Sequence, residues 1–368
     1  MTSDPLVALE WATAELPLPR PLQAGALTIR SRAYCCVRAT LASGATGEAF
    51  AMTRGLDVDG ALETLVAPLA LAGRELRAGL RNVGWDGPIS RAASAVRLAA
   101  LDAEARAAAV PVWRLLGAEQ APSAAALAIV GYLAPGEQPG AGDVREASAA
   151  IDAGAAGVKL MGGAGGPADD LERVARVRDA IGDGPALVLD VNGAWSPADA
   201  RAALPRLAAA GVTVVEEPFA YELGLSAFDA LPDERPQLAF GEISASVVEL
   251  EALLGTGAVD HLRPDATLFG GAEAWRSLGP ALAASGASVF PHFWPELHRH
   301  LIALAPRVSY LECLLPGNDA FALDGLVTPS AHIADGRIAA DASPGFGFAL
   351  DWERVRRHAG APPRRCGA

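Results

Sequence analysis

Lysine is almost absent from this chain of 368 residues, because 29 of its 30 basic side chains are arginine. The remaining one, Lys159, has survived a bias that replaces any dispensable lysine with arginine. A guanidinium is broad and always charged, whereas a compact ammonium can change its pKa or lie against an oxyanion. This scarcity indicates a function for Lys159, and survival by chance is the alternative interpretation.

Basic side chains are also too few to balance the acidic ones, and the formal net charge is −13 at pH 7. The resulting negative field disfavours binding to nucleic acid and to anionic membrane surfaces. Long apolar runs are missing as well, since Arg, Asp, Glu, Gly or Pro interrupts each run before it could span a bilayer. The first residues show no basic region followed by an apolar stretch, so we expect no secretory signal and a cytoplasmic location.

Cysteine is scarce, and its four positions form no recognisable pattern. Cys35 and Cys36 are adjacent, Cys313 lies in an apolar run, and Cys366 lies near the C-terminus. This spacing matches neither a disulfide framework nor a set of zinc ligands. The chemistry of the protein must therefore be sought among its other side chains.

The length of the chain exceeds what one hydrophobic core usually serves, which predicts a barrel-sized domain and a smaller companion. Residues 1–120 begin with alternating apolar segments and continue with alanine-rich helical periodicity, which predicts an N-terminal α+β domain. In residues 121–321, short apolar runs alternate with amphipathic segments, as in repeated βα units. We expect residues 322–368 to return to the N-terminal domain and to end in a disordered tail from His358 onward.

Eight apolar runs in the second segment predict the eight parallel strands of a TIM-like (β/α) barrel, so the predicted fold class is α/β. The runs are Leu127 to Leu133, Gly157 to Met161, Ala186 to Asp190, Val212 to Glu216, Leu238 to Glu242, His261 to Asp265, Ser288 to His292 and Ser309 to Glu312. The second to the eighth end at or beside an ionisable side chain, namely Lys159, Asp190, Glu216, Glu242, Asp265, His292 and Glu312. One such charge is more often a solvated loop residue, but seven in register indicate a site at the C-terminal ends of the strands.

Three of these residues, Asp190, Glu216 and Glu242, recur at intervals of 26 positions, about one βα unit. They therefore project from three consecutive strands toward one point, where unpaired carboxylates would repel each other. A hard divalent cation relieves that repulsion, and Mg²⁺ also keeps positions open for substrate oxygens. The alternative is a salt-bridge layer with arginines, but the runs around these residues hold almost no basic side chain.

The ordered motifs resemble those of the enolase superfamily, in the subgroup of mandelate racemase and muconate lactonizing enzyme. They are Val-Lys159-Leu-Met, Asp190-Val-Asn192 with Trp195 beyond, Val-Glu216-Glu-Pro, Gly-Glu242, Arg263-Pro-Asp265-Ala with Gly270-Gly271, Pro-His292 and Leu-Glu312. Leu101 to Arg106 and Val110 to Gly117 resemble the family's N-terminal domain, so the resemblance spans nearly the whole chain. It implies a barrel with an N-terminal α+β capping domain, and Mg²⁺-dependent abstraction of the proton alpha to a carboxylate through an enediolate.

The resemblance also implies roles for individual residues. His292 would be the general base, and the carboxylate of Asp265 would orient its imidazole. Glu312 matches the residue that, when protonated, donates a hydrogen bond to the substrate carboxylate; an ordinary buried acid paired with a neighbour is the alternative. Lys159 would be a cation near that carboxylate.

Two departures from the family pattern bear on the reaction. The racemase pattern carries Lys-x-Lys on the second strand, with its second lysine as the base on the opposite face, but this chain has Met161 there. Some acid-sugar dehydratases carry a histidine two residues after the first metal ligand, where this chain has Asn192, so the acid for the leaving group stays open. With one base, elimination of water from an acid sugar or another small hydroxy acid is favoured over racemisation.

The sequence leaves alternatives to this dehydratase, or lyase, interpretation. A racemase or epimerase (isomerase) remains an alternative, as does a non-catalytic, metal-binding descendant of the family. Gly163 to Ala168 also fits a dinucleotide-binding pattern, but that pattern explains none of the other strand-end residues.

Substrate specificity is expected to come from the segments Leu16 to Leu27 and Gly47 to Arg54, which resemble the family's capping loops. Arg54 could contact a distal hydroxyl or carboxylate of the substrate, or it could be solvated. Met161 and Asn192 are expected to line the pocket. The expected binding partner is a small-molecule carboxylate, with no nucleic acid and no membrane, and the chain is expected to form a homo-oligomer.

Overall fold

The chain forms an antiparallel sheet with helices, then a parallel barrel, then a C-terminal segment that contacts both. The computed structural model describes residues 4–24, 27–80, 82–85, 87–138, 140, 142–315, 318 and 320–367. The strands are β1 (Leu6–Ala24), β2 (Leu27–Leu41), β3 (Thr46–Met52), β4 (Ser123–Val130), β5 (Gly157–Met161), β6 (Ala186–Asp190), β7 (Val214–Glu216), β8 (Gln237–Phe240), β9 (His261–Leu262), β10 (Ser288–Val289), β11 (Tyr310–Cys313), β12 (Val327–Thr328), β13 (Arg337–Ala339), β14 (Ala349–Leu350) and β15 (Arg364–Gly367).

The helices connect these strands, and in the described residues none is long and apolar enough to cross a membrane. They are α1 (Val58–Ala61), α2 (Ala67–Leu71), α3 (Leu76–Gly79), α4 (Gly87–Ala107), α5 (Val112–Leu115), α6 (Asp143–Asp152), α7 (Gly166–Ile181), α8 (Pro197–Ala209), α9 (Val247–Gly255), α10 (Gly271–Ser285), α11 (Pro295–Leu301) and α12 (Trp352–His358). A π-helical turn (Leu62–Val66) joins α1 to α2, and 3-10 turns cover Tyr221–Leu223, Leu225–Ala230 and Ile302–Leu304.

The sheet of the capping domain has the strand order β15-β1-β2-β3, and all of its pairs are antiparallel. Helix α4 packs on this sheet through buried positions that are mostly alanine or serine, so the helix lies close to the strands. A Cβ atom on Gly47 of β3 would lie 2.0 Å from the backbone nitrogen of Ala103. Glycine is therefore required where β3 passes α4.

Strands β4 to β11 form a parallel barrel in the order β10-β9-β8-β7-β6-β5-β4-β11. A parallel bridge between Val289 and Val308 nearly closes the ring. The predicted fold class is confirmed, and the predicted bounds of β5 and β6 agree with the structure. Strands β8 to β10 end earlier than predicted, because the last residues of those runs have already left the ladder for the loops.

The alternation of side chains along the strands places the polar residues above an apolar layer. Val188 and Val214 belong to a buried cluster that fills the interior of the barrel. Two positions further along β6 and β7 stand Asp190 and Glu216, which project to the same side because side chains on a strand repeat every second residue. The carboxylates therefore lie at the C-terminal mouth of the barrel, directly above its core.

The C-terminal segment contacts both the barrel and the capping domain, as expected for a returning segment. Strand β13 pairs antiparallel with barrel strand β4, and the amide of Leu350 donates to Glu48 of β3 at 2.8 Å. The predicted domain boundaries at residues 120 and 321 stay predictions. Strand β13, which lies beyond residue 321, adds to the barrel sheet.

The prediction of a disordered tail from His358 onward is wrong. Arg364–Gly367 form β15, which pairs antiparallel with β1, and Arg364 forms an ion pair with Glu63. The edge of β1 presents backbone donors and acceptors that attract another strand. The Arg- and Pro-rich composition of this segment gives no sign of a strand, because its order comes from pairing with β1 and not from its own side chains.

Asp102 on α4 joins the C-terminal segment to the capping domain. Its buried carboxylate accepts the backbone amides of Glu48 at 2.9 Å and Phe346 at 2.6 Å. It also accepts a hydrogen bond from Arg106 Nε at 2.7 Å. We expect Asp102→Ala to lower the free energy of unfolding by about 2–3 kcal/mol, because buried donors lose their acceptor. Urea unfolding followed by circular dichroism measures this. Asp102→Asn should lose less, and the exposed Asp229→Ala should change nothing; an unaltered midpoint in Asp102→Ala contradicts the assignment.

Candidate active site

The structure brings the predicted strand-end residues together at the mouth of the barrel, and all of them are buried. Lys159 on β5 is at the centre of the group. Its Nζ lies 3.0 Å from Asp190 Oδ2, 3.1 Å from Glu216 Oε1 and 2.5 Å from Glu312 Oε1. Residues on strands β5, β6, β7 and β11 thus meet at a single ammonium group.

Asp190, Glu216 and Glu242, which we call the carboxylate triad, can supply ligand atoms that all lie within 4.8 Å of one another. Within the described ranges, no other three His, Cys, Asp or Glu side chains form such a group. Carboxylate oxygens that converge in this way are the donors that a hard divalent cation prefers. The residues present therefore fit a Mg²⁺ ion.

The expectation that the triad lacks basic neighbours is wrong. Besides Lys159, Arg263 reaches the triad: its Nη2 lies 2.8 Å from Glu216 Oε1 and 3.8 Å from Glu242 Oε2. The same nitrogen lies 2.9 Å from Glu312 Oε1. These cations come from other strands of the barrel, so the residues that flank each carboxylate in the sequence could not reveal them.

Arg263 is a site residue whose role the sequence argument missed. It follows β9 and is fully buried, and its Nη1 donates to the carbonyls of Phe290 at 3.0 Å and Pro291 at 3.3 Å. Burial alone would lower the pKa of Arg263, but the surrounding carboxylates raise it, so the guanidinium is a permanent and fixed cation. The available signal was its position, two residues before Asp265 in the Arg-Pro-Asp motif.

Lys159 is held in its charged form. Burial favours the neutral amine, but Asp190, Glu216 and Glu312 together raise the pKa of Lys159 well above its ordinary value. An ammonium so surrounded is suited to stabilise negative charge and is a poor proton acceptor.

Glu312 differs from the expectation of a protonated hydrogen-bond donor. Burial would raise its pKa, but the charges of Arg263 and Lys159 lower the pKa of Glu312 to about 2. Its other oxygen accepts the backbone amide of Phe293 at 2.5 Å. In this arrangement Glu312 is an ionised acceptor that ties β11 to the loop after β10.

Asp265 and His292, which we call the dyad, lie in direct contact, with His292 Nδ1 3.1 Å from Asp265 Oδ2. Asp265 also accepts the Thr267 amide at 2.8 Å, the Thr267 hydroxyl at 2.7 Å and Trp294 Nε1 at 3.0 Å. Burial opposes ionisation, but the contact with His292, the charge of His298 and the bond from Trp294 hold the pKa of Asp265 far below its usual range.

The ionised state of Asp265 assigns a proton to Nδ1 of His292. In the neutral imidazole, the other ring nitrogen, Nε2, carries the lone pair. It faces the carboxylate triad, 3.8 Å from Glu242 Oε2. The dyad can therefore present a proton acceptor to the space beside the carboxylate triad.

Backbone strain is concentrated around these residues. Asn192, Glu217, Phe293 and Trp294 follow the strands that carry site side chains, and all have positive φ angles between 41° and 52°. Positive φ is uncommon for residues other than glycine and occurs where the surrounding structure enforces it, often at functional sites. The strain supports a built site at this end of the barrel.

Glu217 is a second residue whose role sequence reasoning missed. Its buried side chain accepts the amides of Gly241 at 2.7 Å and Glu242 at 3.2 Å, so it fixes the turn that carries the third carboxylate of the triad. The Glu-Glu-Pro motif contained the signal, but only the first glutamate was given a role.

The three residues expected to line the pocket are less closely tied to the site. Met161 is half-buried at the end of β5, in register with Asp190 on the neighbouring strand. Asn192 is exposed, and its amide donates to Asp190 Oδ1 at 3.0 Å. Arg54 is exposed in the turn after β3. No described hydrogen bond or ion pair joins the side chain of Arg54 or Asn192 to the strand-end group.

Comparison with known proteins agrees with this geometry. Residues 142–355 match the family model described as enolase C-terminal domain-like, and residues 9–117 match the model of the mandelate racemase / muconate lactonizing enzyme N-terminal domain. Both domains are thus those of an enolase-superfamily enzyme. The chain belongs to the mandelate racemase / muconate lactonizing enzyme family, which confirms the resemblance seen in the sequence.

Individual relatives span several reactions. The chain is 30% identical over 281 residues to L-talarate/galactarate dehydratase from Salmonella typhimurium, covering 75% of this chain and 67% of that protein. It is 26% identical to muconate cycloisomerase 1-1 from Acinetobacter lwoffii, covering 97% of both. Among solved structures, L-talarate dehydratase from Polaromonas sp. JS666, complexed with Mg and L-glucarate, matches with a TM-score of 0.88, 25% identity and 100% of both chains covered.

Proposed function

We propose that this protein is a Mg²⁺-dependent lyase that removes the proton alpha to the carboxylate of an acid sugar and eliminates water from the neighbouring carbon. The dyad carries this proposal, because it presents Nε2 of His292 to the carboxylate triad at 3.8 Å. A base and a cation-binding group this close can act on one substrate carboxylate and the carbon next to it.

The carboxylate triad would hold the cation. When bound, Mg²⁺ would supply positive charge to the substrate carboxylate, whose negative charge grows as the alpha proton leaves. Lys159 and Arg263 lie against the same carboxylates and add fixed positive charge that needs no rearrangement during the reaction. Magnesium is also bound in the structure of L-talarate dehydratase from Polaromonas sp. JS666, which resembles this chain.

His292 would take the alpha proton on Nε2, and the electron pair of the C–H bond would move into an enediolate. Asp265 would stabilise the imidazolium that forms, since Nδ1 already donates to it. The enediolate would then expel the hydroxyl group on the beta carbon, which would leave as water with the proton that the His292 imidazolium returns. The resulting enol would become a 2-keto-3-deoxy acid. Relatives that act on acid sugars, the talarate/galactarate and arabinonate dehydratases, support this outcome.

Met161 favours elimination over racemisation. Racemisation needs a proton acceptor on each face of the alpha carbon, and the thioether of Met161 accepts no proton. Lys159, the only lysine of the sequence, lies on the same strand and is held as a cation by three carboxylates. One face of the substrate therefore has a base and the other has none.

Deuterium exchange tests this proposal. In deuterated buffer with Mg²⁺, proton NMR on a panel of acid sugars should show exchange at one face of the alpha carbon and formation of the 2-keto-3-deoxy acid from a member of the panel. A hydroxy acid without a beta hydroxyl group is the control, since it can exchange but cannot lose water. Equal exchange of both enantiomers would establish a racemase or epimerase, and Mg²⁺ binding without exchange on any member would establish a non-catalytic descendant.

Assembly into a homo-oligomer and a cytoplasmic location stay predictions. Light scattering of the purified protein measures the oligomeric state directly.

A further inference from the structure

His298 on α11 is fully buried and lies between the two loops that carry the dyad. The backbone amide of Ala266 donates to its Nε2 at 3.1 Å, and its Nδ1 lies 2.6 Å from the carbonyl oxygen of Phe293. Ala266 directly follows Asp265 in the chain, on the loop after β9. Phe293 directly follows His292, on the loop after β10. One imidazole ring thus bonds to the backbone beside each member of the dyad.

These two partners fix the protonation of the His298 ring. A backbone amide can only donate and a carbonyl oxygen can only accept, so Nε2 carries the lone pair and Nδ1 carries the proton. Burial lowers the pKa of His298 to about 4, so the ring is neutral near pH 7. Trp275 of α10 packs against the ring at a steep angle, with centroids 5.3 Å apart. His298 is therefore a neutral imidazole in one tautomer and one orientation.

The dyad lies beyond the hydrogen-bonded ladder of the barrel, so the strands alone do not fix its geometry. Strand β9 ends at Leu262 and β10 ends at Val289, each three residues before its member of the dyad. The amide of His292 donates to the carbonyl of Pro264 at 3.2 Å and joins the two loops directly. The ring of His298 adds a second connection between the same loops, on the C-terminal side of both dyad residues.

The loop after β10 is also strained, since Phe293 and Trp294 have positive φ angles of 44° and 41°. Such conformations persist only where the surrounding structure over-determines them. Glu312 accepts the amide of Phe293 at 2.5 Å, and His298 donates to its carbonyl oxygen at 2.6 Å. Both polar backbone groups of Phe293 are therefore held, and the turn that follows His292 keeps its conformation.

We propose that His298 is a positioning residue for the dyad. It sets the relative position of the two loops, so that Nδ1 of His292 meets Asp265 at 3.1 Å while Nε2 faces Glu242 of the triad at 3.8 Å. The proposal rests on the proposed function only in taking His292 as the base. Displacement of a reacting group by about 1 Å can lower a rate by about 10²-fold, so a residue that touches no substrate can still control the rate.

Two substitutions each remove one of the two connections. The amide of asparagine lies near the position of Nδ1, so His298→Asn keeps a donor for Phe293 and loses the acceptor for Ala266. The longer glutamine reaches the position of Nε2, so His298→Gln keeps that acceptor and loses the donor. With Mg²⁺ and a saturating acid sugar, we expect each variant to exchange the alpha proton about 10- to 100-fold more slowly. Calorimetry should find the dissociation constants of Mg²⁺ and of the acid sugar within about twofold of the parent.

His261→Asn is the matched control. His261 is also buried and also bonds through both ring nitrogens, to Gln237 and to Ser309, each at 3.0 Å. It begins β9, at the end of the barrel away from the dyad. His261→Asn should lower the thermal midpoint as His298→Asn does, but it should leave the exchange rate within about twofold. Equal rate losses at the two positions, or a loss in the His298 variants that appears in substrate affinity and not in the saturated rate, overturns the proposal.

Histidine NMR tests the geometry without turnover. In protein labelled with ¹⁵N-histidine and saturated with Mg²⁺, at a pH at which His292 is neutral, both His298 and His292 should show the Nδ1–H tautomer. Both His298 variants should convert part of His292 to the Nε2–H tautomer, and His261→Asn should not. An Nε2–H tautomer at His298 in the parent, or unchanged His292 signals in both variants, contradicts the positioning role. If these tautomers behave as expected while the unaltered protein exchanges no alpha proton, His298 still positions the dyad and the proposed function fails.

Discussion

Replacing His292 with asparagine is expected to reduce exchange of the alpha proton by about 10³-fold, within the range that a positioned general base contributes. Asparagine keeps a donor for Asp265 but removes the proton acceptor that faces the carboxylate triad. Solvent deuterium incorporation followed by NMR measures the effect, and Mg²⁺ affinity should be nearly unchanged because His292 is not a member of the triad. The loss should thus appear in the rate and not in the binding of metal.

Asp265→Asn is the companion variant for this experiment. Asparagine retains an oxygen for His292 Nδ1 but no longer supplies the negative charge that stabilises an imidazolium, so a smaller loss is expected than in His292→Asn. Retained exchange in His292→Asn would contradict the assignment and make Lys159 the base. That outcome would require the ammonium to lose its proton despite contacts with Asp190, Glu216 and Glu312.

Glu216→Gln is expected to weaken Mg²⁺ binding at least about 10- to 100-fold, since changes beyond the metal ligands already have effects of that size. The amide keeps the shape of the side chain but removes the charge at the centre of the triad. Exchange of the alpha proton should be lost in parallel. Calorimetric titration with Mg²⁺ measures the affinity without any reliance on turnover.

The fold should tolerate this change because Lys159 and Arg263 keep Glu312 as a shared partner, at 2.5 Å and 2.9 Å. Glu296→Gln is the matched control, because this buried glutamate accepts the Ala331 amide at 3.1 Å and is not part of the triad. An affinity in Glu216→Gln equal to that of the control would remove Glu216 from the metal site.

The barrel and the triad were predictable because each depends on a short sequence period. Apolar runs at βα spacing specify the parallel strands, and period-two alternation along β6 and β7 places Asp190 and Glu216 on the inner side. Equal spacing then brings Glu242 to the same point. The apolar runs also predicted Asp265 and His292 at strand ends, and both lie in the loops that follow β9 and β10. Their pairing as a dyad came from the resemblance to the family.

The missed features depend on contacts across the fold. Arg263 reaches Glu216 from a strand two positions away around the barrel, and nothing near Glu216 in the sequence indicates it. Glu217 acts through two backbone amides of the next strand end. The order of Arg364–Gly367 is supplied by the free edge of β1. In each case the decisive partner is distant in sequence, where periodicity and spacing carry no information.

Trp294, the aromatic residue that bonds to the dyad, contacts both domains. Trp294 donates to Asp265 at 3.0 Å, and its ring lies 6.0 Å from Tyr34 and 5.6 Å from Phe50, centroid to centroid. Tyr34 and Phe50 are on β2 and β3 of the capping domain. Side chains of the capping domain therefore support the orientation of Asp265, a residue of the barrel. The two domains are consequently not interchangeable modules, because a chimera that takes its capping domain from a relative also acquires a new support for Asp265. Grafts of this kind should carry Tyr34 and Phe50 with the barrel.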